Sequence, residues 1–106
     1  MRMWGVDPKC LCNKHLLGEH VEMHMFLGCY KKGISMKGYI EKRLVNLEGI
    51  RDRHEYLAAE MTRRGYKHNS PLHENPEFTG QTKFIDVAAN IAELKKRCAS
   101  CCELLP

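Results

Sequence analysis

The chain has no stretch approaching the ~20 apolar residues of a membrane-spanning helix, so no membrane association is expected. Its first residues, MRMWGVDPK, lack the apolar run of a secretory signal peptide. Both absences predict a cytoplasmic protein. No run of β-branched residues alternates with polar ones, so no sheet is expected. Internal repeats and low-complexity segments are also missing. A length of 106 residues fits one domain, residues 1–106, with a small core.

Lys and Arg number 17 against 13 Asp and Glu, with six His besides. That mild basic excess suits a phosphate-backbone partner without requiring one. Lys31, Lys32, Lys37, Lys42, Arg43, Arg51, Arg53, Arg63, Arg64 and Lys67 lie in the middle of the chain and are the candidates for phosphate contacts. A solvated charged face is the plainer reading of such a run.

The expected class is all-α: three helices joined by loops, with an extended N-terminal arm over residues 1–9. Pro8 keeps Asp7 out of the helical region. Asn13 is a plausible N-cap, and the first helix should run to about Lys32, stopped by Gly33. Residues 34–46 should form a loop with one short helical turn. A second helix is expected over residues 47–64, with Leu47, Ile50, Tyr56 (or His54), Leu57 and Met61 inward and Gly65 as its C-cap. Residues 68–83, with Pro71, Pro76 and Gly80, should cross the surface. A third helix is expected over residues 85–101, burying Ile85, Ala88, Ala89 and Ala92, with Ile91 and Leu94 beside them.

Within the first helix, KHLLGEHVEM places His15, Glu19 and Glu22 at i, i+4 and i+7, on one stripe. Gly18 shares that stripe, and a helical glycine costs about 1 kcal/mol relative to alanine. Its presence suggests a close approach to the backbone beside Glu22. Leu16, Leu17, Val21 and Met23 can face the core. An ordinary solvated acidic face explains the same pattern.

Two groups have metal-ligand character. His20 and His24 stand at i and i+4, but no third ligand is obvious. Cys10, Cys12, Cys98, Cys101 and Cys102 could supply four thiolates, yet the first pair is separated by only one residue. Free thiols, no metal and no cofactor are expected, since a cytoplasmic chain keeps its cysteines reduced.

With these residues in view, the chain resembles the phage pyrimidine-dimer DNA glycosylases of the endonuclease V type. KHLLGEHVEM looks like that family's stretch QHLMAEYREL, with His15, Leu16, Glu19 and Glu22 in matching places. Residues 47–66 are similar to the family's second long helix without a gap, sharing Leu47, Glu48, Arg51, Arg53, Leu57, Ala59, Glu60, Arg64 and Gly65. Glu77-Phe78-Thr79-Gly80 is a weaker likeness. Arg2 is large enough to block removal of the initiator Met, so the Met1 α-amine falls where the family's catalytic amine falls.

The resemblance implies an N-glycosylase with abasic-site lyase activity, acting as a monomer on double-stranded DNA. Met1 would be the nucleophile and Glu22 the catalytic carboxylate. Arg2, His15, Gly18, Lys31, Lys32, Arg51, Arg53 and Arg64 would face DNA. The default substrate is a pyrimidine dimer. Val21 and Met25 stand where dimer-cutting members carry arginines, and the Trp- and Tyr-rich tail of the family is replaced by RCASCCELLP. A glycosylase for another damaged or modified base, a non-catalytic nucleic-acid-binding protein and a zinc-stabilised adaptor are the alternatives.

Overall fold

A computed structural model describes residues 1–72 and 84–106 of the chain. The described residues are helical and contain no strand. The described residues form five α-helices: α1 (Asn13–Lys31), α2 (Lys37–Glu41), α3 (Ile50–Arg63), α4 (Val87–Arg97) and α5 (Ala99–Leu104). Short 3-10 turns at Pro8–Cys10 and Leu47–Gly49 precede α1 and α3. The two long expected helices are therefore α1 and α3, and α2 is the short turn expected between them. The third expected helix is two, broken at Cys98, whose backbone is extended (φ −139°, ψ 108°) and whose side chain caps α5. The Glu77-Phe78-Thr79-Gly80 likeness, with most of the expected surface crossing, lies outside the described residues.

Helices α1 and α3 end before Gly33 and Gly65, both left-handed. Asn13 does not cap α1; its side chain accepts from Arg64 instead (3.0 Å), and Cys12 is the N-cap. Core side chains from α1 (Leu16, Met23, Phe26, Leu27) and α3 (Leu57, Met61) are buried together with Ile50 and Val45. Two expectations for α1 reverse here. Val21 is exposed, whereas Glu19, expected on a solvated stripe, is 1 % exposed. The reason is Arg53 of α3, itself buried, which donates to both Glu19 oxygens (2.5 and 2.8 Å). A charge can be buried when it is paired and hydrogen-bonded.

The same pair fixes the N-terminal arm. Arg53 Nη1 donates to the Val6 carbonyl (2.7 Å), and the backbone N–H groups of Trp4 and Gly5 donate to Glu19. Burial pushes the Glu19 carboxyl up, while Arg53 and these N–H groups pull it down. Further along the chain, Met3 N–H donates to Leu44 O (2.6 Å) and the Asn90 amide donates to Trp4 O (2.8 Å). Met3, Trp4 and Val6 are buried, so the expected extended arm is a packed core element. Gly5 is required in it: its φ is +71°, and a Cβ there would lie 2.1 Å from Ile85 Cδ1. On α4, Asn90 and Leu94 form the buried face, not Ala88, Ala89 and Ala92, which are exposed. The backbone of the arm offers carbonyls that Asn90 can satisfy and alanine cannot.

Between α1 and α3 the imidazoles cluster. His20 Nε2 and His68 Nε2 lie 2.9 Å apart, and His54 Nε2 and His24 Nε2 lie 3.2 Å apart. His54, the alternative to Tyr56 as an inward residue, is fully buried, and Tyr56 is exposed. Burial, then the neighbouring imidazole of His54, lowers His20 to about 4. At pH values between that and the ordinary ~6.5 of histidine, the unfolded chain binds this proton and the folded chain does not. Stability from this group is therefore complete above pH ~6.5 and falls as pH drops toward about 4. The thermal midpoint should decline over that window, and the decline should be shallower in His20→Asn. Arg53→Ala should cost about 3–5 kcal/mol in chemical denaturation, because it leaves Glu19 buried without its partner.

Candidate active site

One cavity of about 390 Å³ lies where the arm crosses α1, lined by Met1, Arg2, Trp4, His15, Gly18, Glu19, Glu22 and, from elsewhere in the chain, Lys14, Tyr39, Leu44 and Arg97. Glu19 and Glu22 are one helical turn apart on α1. The arm anchored at Glu19 therefore delivers the chain start to Glu22. Glu22 is half-buried rather than exposed. Burial raises its carboxyl above the ordinary range; the positive Met1 α-amine and the Arg2 backbone N–H pull the other way. The result is a carboxyl beside an amine, in a cavity with cationic walls.

Arg2 is held for this position. Its Nη1 donates to Asn90 Oδ1 (3.2 Å), and its guanidinium lies 4.5 Å from the Trp4 ring centroid. Trp4 also meets His15 edge-on, at 5.9 Å between centroids. Burial, then the charges of Lys14 and Arg97, holds His15 below its ordinary value, so it remains neutral near pH 7. A Cβ added at Gly18 would meet no atom of the described chain within 4 Å. Nothing among the described residues demands that glycine; the space beside it is cavity.

Of the residues singled out in the sequence, Met1, Arg2, His15, Gly18 and Glu22 meet at this cavity. Lys31 and Lys32 lie exposed at the far end of α1, and Arg51 is exposed at the start of α3. Several expected phosphate contacts are engaged within the protein: Lys37 pairs with Glu41 (3.8 Å) and Arg63 donates to Glu60 (2.7 Å). Arg53 is the buried partner of Glu19. Arg64 donates to Glu60 (2.7 Å) and to the carbonyls of Pro8 (3.1 Å) and Leu11 (2.7 Å), fastening the Pro8–Cys10 turn to the end of α3. Arg53 places its donors on the Glu19 carboxylate and the Val6 carbonyl, and Arg64 places its donors on Glu60, Asn13 and the carbonyls around the Pro8–Cys10 turn. Lys14, Tyr39 and Arg97 were missed. Lys14 adjoins His15 in the same stretch, but nothing in the sequence links Arg97 to a residue so far away.

Among the described residues, two groups have metal-binding geometry. Ligand atoms of Cys12, His15, Cys98 and Cys101 lie within 4.8 Å of one another, as do those of His20, His54 and His68. The Cys101 N–H holds the Cys98 thiol below its ordinary value, and burial pushes Cys101 up to about 12. No helix among the described residues is long and apolar enough to cross a membrane.

Comparison with curated proteins and with solved structures finds no match. The sequence model of one family, described as pyrimidine dimer DNA glycosylase, matches residues 1–74, which include the arm, α1, α2 and α3. A chain whose matched region holds both the anchored N-terminus and Glu22 belongs to the pyrimidine dimer DNA glycosylase family.

Proposed function

We propose that the protein is a DNA N-glycosylase and abasic-site lyase whose nucleophile is the α-amine of Met1. The observation that carries this reading is the shared cavity of Met1 and Glu22. α-Amines have ordinary pKa values of ~7.7–8.0, against ~10.4 for lysine, so they supply a neutral nucleophile at cellular pH without strong perturbation. The amine attacks C1′ of the damaged nucleotide as the C1′–N bond breaks. The base leaves with the bonding electrons and takes up a proton. Ring opening then gives a protonated Schiff base between C1′ and the amine. Removal of a 2′ proton expels the 3′ phosphate, which breaks the strand, and water hydrolyses the imine to free the amine.

Glu22 as carboxylate stabilises the positive charge developing at the sugar and relays protons. Arg2, Lys14 and Arg97 bring cationic groups to the cavity for the flanking phosphates. Lys31, Lys32 and Arg51 extend the cationic surface along the duplex. A base within a duplex is out of reach, so the substrate nucleotide is extruded. Val21 and Met25 are exposed on α1. Where dimer-cutting relatives would offer arginines, this chain offers the DNA apolar contact, and pyrimidine dimers are the first lesion to test.

The direct test is a panel of duplexes, each with one defined lesion or an abasic site, scored for base release and strand scission. Cleavage of the dimer and abasic duplexes is expected; no scission at any of them would refute the reading. Glu22→Gln should lower the rate by ~10²-fold or more with DNA binding retained. Two ionisations shape the acid side of the wild-type pH–rate profile, that of the nucleophilic amine and that of Glu22; the one lost in Glu22→Gln should lie above the ordinary carboxylate pKa of ~4.3, because burial raises Glu22. Gly18→Ala should raise the thermal midpoint, since alanine favours helix by about 1 kcal/mol, yet slow turnover by placing a methyl in the cavity.

A further inference from the structure

Family membership does not account for the cysteines. Cys98 and Cys101 lie beyond the matched residues, while Cys12 and His15 lie within them. The four come together as two short pairs, Cys12-x-x-His15 and Cys98-x-x-Cys101. The first is at the start of α1, and the second spans the break between α4 and α5. Cys12 Sγ is 3.8 Å from Cys98 Sγ and 3.2 Å from His15 Nδ1, and Cys101 Sγ is 3.5 Å from the same Nδ1. A tetrahedral zinc ion with Zn–S ≈ 2.3 Å and Zn–N ≈ 2.0–2.1 Å requires edges of about 3.8 Å (S···S) and about 3.6 Å (S···N). The side chains stand close to that figure.

From this arrangement we propose that Cys12, His15, Cys98 and Cys101 form a closed structural zinc site that clasps α4 and α5 to the start of α1.

Three thiols around one imidazole are poorly satisfied by one another, since a thiol is a weak donor and a weak acceptor. As thiolates around a cation they are satisfied. The backbone supports that form: Cys12 N–H donates to Cys101 Sγ (3.2 Å) and Cys101 N–H to Cys98 Sγ (3.4 Å). Such outer bonds orient ligands and disperse their charge. Four protein ligands leave no open position, so the site is structural and takes no part in the chemistry. The need for it is local. Helix α5 has six residues and α4 has 11. Helices shorter than ~12–15 residues are marginal alone, and the apolar anchors of this part are few: Leu94, Cys101 and Leu105. A zinc clasp holds Arg97 and His15 at the cavity wall. Binding deprotonates each thiol ligand and releases its proton to solvent.

Protein purified under reducing conditions without chelator should carry about one zinc per chain by elemental analysis. Removing it should lower the thermal midpoint, and adding zinc should restore it. Cobalt(II) in its place should give tetrahedral d–d bands and a sulfur-to-cobalt charge-transfer band. Cys98→Ser and Cys101→Ser should each weaken or abolish that band, and Cys102→Ser, at an exposed position, should leave it unchanged. If the serine variants do not fold, the cobalt spectrum of the unsubstituted chain decides by itself. Absence of bound metal, or cobalt bands without sulfur charge transfer, as the histidines 20, 54 and 68 would give, would overturn the proposal.

Discussion

The buried pair between Glu19 and Arg53 is the interaction on which the rest of the site depends. Removing two ions from water is costly, and the mutual attraction of the pair offsets that only when the remaining donors and acceptors are filled. Here they are filled by the arm: Val6 offers its carbonyl to Arg53, and Trp4 and Gly5 offer N–H groups to Glu19. The pair therefore joins three segments that are far apart in sequence. It also sets a distance. Glu22 lies one turn beyond Glu19, and Met1 lies three residues before Trp4. Anchoring the arm at Glu19 thus brings the chain start to the cavity that Glu22 lines. An α-amine on a loose arm would occupy no fixed position, and misplacement by ~1 Å can already cost about 10²-fold in rate.

The C-terminal part of the chain completes what the matched residues begin. Asn90 holds the arm through Met3 and Trp4 and holds Arg2 through its side-chain oxygen. Arg97 reaches the cavity and lies 5.4 Å from the Trp4 ring. Trp4 is thereby flanked by two guanidiniums and meets His15 at its edge. The proposed metal site shares His15 with the cavity wall. A protein of this size has little core to spend on a separate C-terminal unit, and a few specific polar contacts do the work of a larger apolar interface.

Much of this was legible in the residues themselves. Gly33 and Gly65 mark the ends of α1 and α3 because only their left-handed geometry leaves the helix easily. The stripe of KHLLGEHVEM marks the cavity, since helical spacing puts His15, Gly18 and Glu22 on one side whatever the fold. Burial of Glu19 was not legible, because its partner lies 34 residues away and helix periodicity reports only the residue's own side. For the same reason Arg53 reads as a surface cation. The inward face of α4 misleads through its alanines; the arm requires a hydrogen-bonding amide there, not a small apolar face. Among the cysteines, the close spacing of Cys10 and Cys12 draws attention to the wrong pair. The true neighbour of Cys12 is His15, one turn along α1.

The central claim is that the fold presents the α-amine of Met1, and no side chain, to the sugar. Lys14 lines the same cavity and is the rival amine. Borohydride added during reaction with an abasic duplex reduces a Schiff base to a stable amine, and peptide mapping then locates the bond. The expected result is an adduct on Met1 that disappears when the amine is acetylated, with DNA binding retained because one charge of many is lost. An adduct on Lys14, or one that survives acetylation of Met1, would contradict it.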